Sequence, residues 1–433
     1  MIDQIFEQAR KALPGADIEV TVEHNRAALT RFANSFIHQN VAEDTTTVGL
    51  RVHHEGRTIA LSTTADPQAL IDRAAAILGD APRDPGWPGL APAASLAGTP
   101  QLDPTDPGPD ARAEVVRGFV EAAGGLSTAG YCRTVRWAGS YRNSAGQALD
   151  ATATSADMDG IARHDGADGV ARRHAVQLSD IDGAALGARA AASARAQGDP
   201  VELPPGRYEV VLQPEAVADI LSNFSYHGFN GKYLNDGRCF AHLGEAQFDP
   251  AVSIYDDPFA GVGGRPFDHE GTPRGHLSLV EHGVTRTVAY DRRSAAEAGT
   301  ASTGHALSDD NWGPMAVNLA FAGGSSSAEQ MISEMRRGIL VSDFWYTRVL
   351  DPRTLVITGL TRNGAWLVEH GEIVRPVRNF RFTQGYVSAL APGRVLGIGA
   401  EVTPLPNIRR ELQNVSCPAM RLASWNFTGG ASG

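Results

Sequence analysis

Eight prolines fall between Gly79 and Asp110, at Pro82, Pro85, Pro88, Pro92, Pro100, Pro104, Pro107 and Pro109. Proline fixes φ and has no backbone N–H to donate, so neither a helix interior nor a central strand can run through such a segment. Residues 81–110 are therefore expected to form a loop or linker, with folded units on either side. A chain of 433 residues also exceeds what one compact core usually serves, so division into two or three units is expected on size alone.

The first unit, 1–80, opens with Ile2, Ile5, Phe6, Ala9 and Leu13 near helical spacing, with Asp3, Glu7 and Arg10 between them. This reads as an amphipathic helix; the basic start and continuous apolar run of a signal peptide are missing. Residues 17–24 then alternate as a half-buried strand does, and 45–53 and 57–63 continue the pattern around a turn at His54-Glu55-Gly56, which predicts a hairpin. Asp66 followed by Pro67 and an Ala/Leu/Ile run to Leu78 carries the start signals of a helix. Residues 111–197 repeat the order: a helix over 111–123, strands over 129–140 and 147–155, and an Ala-rich helix over 184–196. Gly198-Asp199-Pro200 and Pro204-Pro205-Gly206 break the chain again. Beyond them 207–433 shows short glycine-bounded strands, among them 354–359, 365–369 and 394–399, with helices near 214–226 and 327–338. The fold class expected is α+β: two helix/antiparallel-strand units, then a C-terminal domain with an extended, mostly antiparallel sheet plus helices.

Charge and composition exclude several functions. The 38 basic and 49 acidic side chains leave a formal charge of −11, the wrong sign for binding by phosphate counterion release, so no nucleic-acid ligand is expected. Arg292-Arg293, Arg336-Arg337 and Arg409-Arg410 are isolated pairs and read as solvated surface. No stretch approaches the roughly twenty apolar residues of a membrane span. Cys132, Cys239 and Cys417 are odd in number and widely separated, which favours neither a disulfide framework nor a four-thiolate metal site and points to a reducing, cytoplasmic setting.

Motifs with a known mechanism are scarce. The sequence has no G-x-x-x-x-G-K-[ST], no H-E-x-x-H and no G-x-S-x-G. Gly261-Val262-Gly263-Gly264 precedes Arg265-Pro266 and not a helix start, so it reads as a structural turn. His269 and His276 have helical spacing, but Gly271, Pro273 and Gly275 break any helix between them and leave polar surface turns as the expectation. His227, at the end of the 214–226 helix, is placed where an imidazolium would meet the terminal carbonyl dipoles.

Three stretches carry a resemblance: 31–40 (Arg-Phe-Ala-Asn-Ser-Phe-Ile-His-Gln-Asn), 266–272 (Pro-Phe-Asp-His-Glu-Gly-Thr), and Asp291-Arg292-Arg293-Ser294-Ala295 leading to Ser302-Thr303-Gly304-His305. Together, and in this order, they resemble the TldD/PmbA family. The resemblance implies a helix end in the third segment on which TldD-type subunits carry H-E-x-x-x-H, with a C-terminal cysteine completing a zinc site. Two imidazoles and a thiolate would leave an open position for a polarised water, and the glutamate could take its proton. Five residues span about 500° on a regular helix, so the family pattern implies a distorted helix end.

Aligned on Tyr226-His227-Gly228-Phe229-Asn230-Gly231, this chain has Ser222 and Asn223 where His-Glu is expected. A hydroxyl is a poor zinc ligand and an amide accepts no proton at neutral pH. Cys417-Pro418 lacks the glycine-flanked setting of the ligand cysteine and reads as buried packing. The resemblance is therefore to the TldE/PmbA-type, metal-free subunit. It implies no catalytic or metal-binding residues in this chain beyond the degenerate Ser222, Asn223 and His227, with His227 and Asn230 as substrate-binding candidates. It also implies a TldD-type partner that supplies the zinc, and an unfolded peptide or peptide leader held in extended form by strand addition. Two other functions fit the residues: an independent hydrolase rebuilt around His227 with Cys239 or Cys417, and a non-enzymatic peptide-binding or scaffold protein in a peptide-tailoring pathway.

Overall fold

The computed structural model describes residues 1–406 and 414–430. In its N-terminal half the elements run α1 (Ile2–Ala12), β1 (Asp17–Ala33), β2 (Phe36–His54), β3 (Arg57–Thr63), α2 (Pro67–Ile77), α3 (Pro109–Ala122), β4 (Ser127–Asn143), β5 (Ala148–His164), β6 (Ala167–Ala175) and α4 (Gly183–Arg195). The strands of 17–63 and 127–175 pair into one antiparallel sheet, ordered β3-β2-β1-β4-β5-β6, through the long β1–β4 register that sets Glu19 opposite Asn143 and Phe32 opposite Gly130. Strand alternation then sorts the side chains. Ile18, Val20, Val22, Val48, Leu50 and Val52 lie under α1 and α2. On the other half Phe32, Cys132 and Met158 lie under α3 and α4. Ala27, Val135, Trp137 and Tyr141 project from the opposite face and meet Phe267 of the C-terminal half.

Local chemistry explains the punctuation. The two-residue turn at Glu55-Gly56 has positive φ at both positions, as a tight hairpin requires, and the same geometry recurs at Asn34-Ser35. Asp66 caps α2 by accepting from the backbone N–H of Gln68 and Ala69, and Pro67 and Pro109 occupy first helical positions. Between them the proline-rich segment lies over the sheet. Ala94 N–H donates to Gln147 Oε1, Asn143 Nδ2 donates to the Ala91 carbonyl, and Asp103 N–H donates to Thr154 Oγ1 at 2.7 Å.

The second half continues with β7 (Gly206–Leu212), α5 (Pro214–Asn223), α6 (Gly231–Asn235), β8 (Ile254–Asp256), β9 (Leu277–Glu281), β10 (Val284–Thr285), α7 (Arg292–Glu297), β11 (Asn318–Phe321) and α8 (Ala328–Ser333). It ends with β12 (Arg337–Asp351), β13 (Val356–Glu369), β14 (Glu372–Pro376), β15 (Phe380–Gly385), α9 (Tyr386–Ala389), β16 (Val395–Ile398), β17 (Thr403–Pro406), β18 (Asn414–Cys417) and β19 (Met420–Gly430). Strands β12-β7-β19-β15-β13 close on themselves through β12–β13 pairing, and β10-β9-β8-β11-β18-β17 form a second sheet. Phe344, Phe382 and Trp425 fill the closed sheet, with ring centroids 4.6–5.4 Å apart. α5 packs between β12 of the barrel and β18 of the other sheet.

The α+β class and mostly antiparallel pairing stand, with two parallel exceptions, β7–β12 and β11–β18. Several local expectations change. The sheet of 207–433 closes into a barrel where an extended sheet was expected. The helix placed at 327–338 ends at Ser333, and Arg337 already pairs with Glu369. Strands expected at 354–359 and 365–369 are parts of one β13, and β6 lacks the clean alternation that would have announced it. Arg409-Arg410 lies outside the described residues.

Candidate functional site at the end of the fifth helix

Phe224 and Phe229 are five residues apart and both fully buried, with ring centroids 5.4 Å apart, and both rings pack on Phe240. On a regular α-helix they would diverge by about 140°. The chain resolves this with a π-turn over Phe224–Gly228, closed by the Phe229 N–H donating to the Phe224 carbonyl at 3.0 Å. The wider turn brings Ser222, Asn223, Tyr226 and His227 to the wall of one cavity of about 460 Å³. The distorted helix end expected from the family pattern is thus present, held by aromatic packing.

The cavity is completed by Asp219 of α5, Phe344 to Val349 of β12, Leu405 and Val415 of the β17–β18 pair, and Arg172 of β6. Asp219 organises its floor: its carboxylate accepts from Thr347 Oγ1 at 2.7 Å, Tyr386 O–H at 2.5 Å and Asn223 Nδ2 at 3.1 Å. Asn223 Nδ2 also donates to the Asp219 carbonyl at 2.9 Å, so its amide nitrogen is engaged within the helix. Arg172 reaches from the N-terminal sheet to bridge Asp159 at 3.1 Å and Asp343 at 2.9 Å. Burial lifts the Asp343 carboxyl to about 6 against the pull of that guanidinium. Asn230 lies outside the cavity lining: its side chain caps α6 by accepting from Tyr233 N–H, and its amide donates to the Trp312 and Pro314 carbonyls.

A zinc ion does not fit the residues present. Ser222 offers only a neutral hydroxyl. Cys417 is fully buried and outside the cavity lining, and burial pushes its thiol well above the usual range, so it is no thiolate. Cys239 also lies outside the lining; its thiol donates to the Gly228 carbonyl and is raised by burial. Among the described residues no three His, Cys, Asp or Glu side chains are arranged to hold a metal.

Of the histidines expected in polar surface turns, His276 is exposed and His269 half-buried, whereas the residues flanking His269 form a buried joint. Asp268 and Glu270 are each 6% exposed, and Gly271 takes φ +71 in a position where a Cβ would collide with the Tyr141 ring. Arg51 lies between Glu19 at 3.7 Å and Glu270 at 3.4 Å, and the Arg292 N–H donates to Glu270 Oε2 at 2.8 Å. Desolvation raises Glu19 to about 7 and, with the neighbouring Asp268, Glu270 to about 8. Nearby, Asp256 is held well below the carboxylate range by Arg274 and His305, although burial opposes them. Sequence reading missed Arg172, Asp219 and Asp343 because the partners that bring them together at the cavity, Asp343 for Arg172 and Thr347 and Tyr386 for Asp219, lie 128 to 171 positions away. The one local signal was the Phe224/Phe229 interval.

The overall arrangement of this chain, an antiparallel sheet followed by a half that contains a closed barrel, is shared with several solved structures. TldE from Thermococcus kodakarensis superposes with a TM-score of 0.87 at 19% identity, covering 99% of both chains. A Thermotoga maritima protein described as a candidate modulator of a DNA gyrase gives 0.85 at 20% identity, covering 98% of this chain and 99% of that one. These define the class of fold, α+β with an antiparallel sheet and a closed barrel. The profile of the PmbA/TldA metallopeptidase C-terminal domain matches residues 205–429, just over half of the sequence, and the chain belongs to the PmbA/TldD family. Among curated relatives, metalloprotease PmbA of Escherichia coli O157:H7 is 28% identical over 185 residues, 42% of this chain and 38% of that protein. A metalloprotease of Methanothermobacter thermautotrophicus is 24% identical over 203 residues, 46% and 44% respectively. The aligned part thus spans less than half the length of either relative.

Proposed function

We propose that this chain is the metal-free subunit of a heterodimeric zinc peptidase, holding an unfolded peptide or peptide leader while a TldD-type partner carries the zinc and cleaves it. The observation that carries this reading is the helix end itself. The cavity wall includes Ser222 and Asn223, which the family resemblance sets against the His-Glu of TldD-type subunits, and the Asn223 amide is tied to Asp219. The likeness to TldE supports it at the level of fold.

Peptide holding has a physical route. β12 leaves β7 after the Val341–Leu212 pair, so among the described residues no strand pairs with the outer edge of Asp343–Asp351 beside the cavity. An open edge supplies main-chain donors and acceptors to an extended chain with little demand on its sequence.

Metal analysis and peptidase assays of the untagged chain, alone and co-expressed with a TldD-type subunit, test the reading. The expected result is no stoichiometric zinc and no cleavage alone, and chelator-sensitive cleavage from the pair. Stoichiometric zinc in the isolated chain, or cleavage that His227→Ala abolishes without a partner, would overturn it in favour of an independent hydrolase. Recovery of the chain from its host with bound peptide and no TldD-type subunit would favour a scaffold.

A further inference from the structure

The barrel face beside the cavity carries positive charge that, among the described residues, no ion pair neutralises. Along β12, β13 and β15 the residues Phe344, Thr361 and Phe382 point into the core, and their neighbours point out. On that outer face Trp345 lies opposite Leu360, which lies opposite Arg381; Arg348 lies opposite Thr358; and Arg362 is two residues along from Leu360. Arg348, Arg362 and Arg381 are all exposed in a chain whose net charge is −11, and among the described residues none of the three is in an ion pair. The acid at the rim of the face, Asp343, is already bridged by Arg172.

Two of these guanidiniums stack on aromatic rings, Arg362 4.8 Å from the Trp345 centroid and Arg348 4.4 Å from that of Tyr346. Arg348 Nη1 also donates to the Thr347 carbonyl at 3.0 Å. Stacking orders a guanidinium and leaves its remaining N–H groups to a carboxylate, the geometry in which arginine surpasses lysine. Trp345 and Tyr346 remain 39% and 65% exposed, unusual for such side chains without a partner.

We propose that this face recognises an acidic, extended peptide, whose backbone adds to the open edge of Asp343–Asp351 and whose carboxylates meet Arg348, Arg362 and Arg381. β13 and β15, which carry Arg362 and Arg381, lie one and two strand spacings in from β12, roughly 10 and 15 Å from an added strand and within the combined reach of extended arginine and glutamate side chains. The proposal rests on the peptide-holding reading and adds to it the charge class of the substrate. A nucleic acid would also meet arginines and aromatic rings, but the acidic remainder of the chain repels a polyphosphate that runs beyond the patch.

Fluorescence anisotropy of the full chain with fluorescein-labelled (Glu-Ser)6, (Lys-Ser)6 and dT12 tests it. At low salt (Glu-Ser)6 is expected to bind at least tenfold more tightly than (Lys-Ser)6, with affinity falling as salt rises. The triple variant R348A/R362A/R381A is expected to weaken it by roughly two- to fivefold per arginine removed. The matching lysine triple variant is expected to recover part of the loss, which separates charge from packing. Equal affinity for the two peptides, or no effect of the alanine variant in a chain of unchanged circular dichroism, would overturn the proposal. Tighter, arginine-dependent binding of dT12 would overturn it in favour of a nucleic-acid site. The outcomes separate from those of the pairing reading: if pairing fails, the charge preference of the isolated chain persists; if the arginine assignment fails, chelator-sensitive cleavage by the pair persists.

Discussion

Replacing Glu270 with glutamine probes the joint between the N-terminal sheet and the C-terminal half. Burial, then the Asp268 charge, raises the Glu270 carboxyl from 4.5 to about 8. A native acid raised in this way keeps its proton after the unfolded chain has released its own. The native state then binds more protons, so stability falls as pH climbs from 4.5 to about 8 and is level outside that window. The interval of about 3.5 pH units corresponds to at most about 5 kcal/mol at about 1.4 kcal/mol per unit. Glutamine keeps an acceptor for the Arg292 N–H, which Glu270 Oε2 now meets at 2.8 Å, and removes the ionisation. Glu19, raised to about 7, shares Arg51 with Glu270 and titrates in the same window, so the direction of the difference with pH is the readout and not its full size. The measurement is the unfolding midpoint of variant and parent by calorimetry at pH 5, 6, 7 and 8.5. The variant is expected to gain on the parent steadily across the series. A difference flat with pH, or one that moves toward the parent as pH rises, would refute the reasoning.

Three further outcomes follow from packing and charge. Arg172→Ala leaves Asp159 and the buried Asp343 without their cation, and is expected to cost about 3–5 kcal/mol in denaturant unfolding, less when combined with Asp343→Asn. Gly187→Ala puts a Cβ against the Phe119 carbonyl where α3 and α4 touch, with an expected loss of about 1–3 kcal/mol, whereas Gly198→Ala meets nothing within 4 Å and should leave the thermal midpoint within about a degree. Asp66→Ala removes the cap on Gln68 and Ala69 N–H, costing about 0.5–2 kcal/mol, and hydrogen exchange at the first turn of α2 should quicken before any other helix.

The sequence by itself determined the elements whose causes are local. Proline density kept helix and strand out of the segment that leads to Pro109, Asp66-Pro67 set the start of α2, and the alternation at 47–53 with Glu55-Gly56 set the β2–β3 hairpin. It also placed a helix over about 214–226, while only the family resemblance set Ser222 and Asn223 against the His-Glu of TldD-type subunits. What only the tertiary structure decided depends on partners distant in the chain. The joining of two strand sets through β1–β4, the closure of the barrel through β12–β13, and the Arg172–Asp343 bridge across 171 positions all carry no local pattern. Burial likewise made a joint of raised carboxyls at Asp268 and Glu270, beside the His269 for which a surface turn was expected, since acids beside prolines and glycines look alike in sequence whether water or protein covers them. Desolvation is a property of what packs above a residue, and that is written only in the fold.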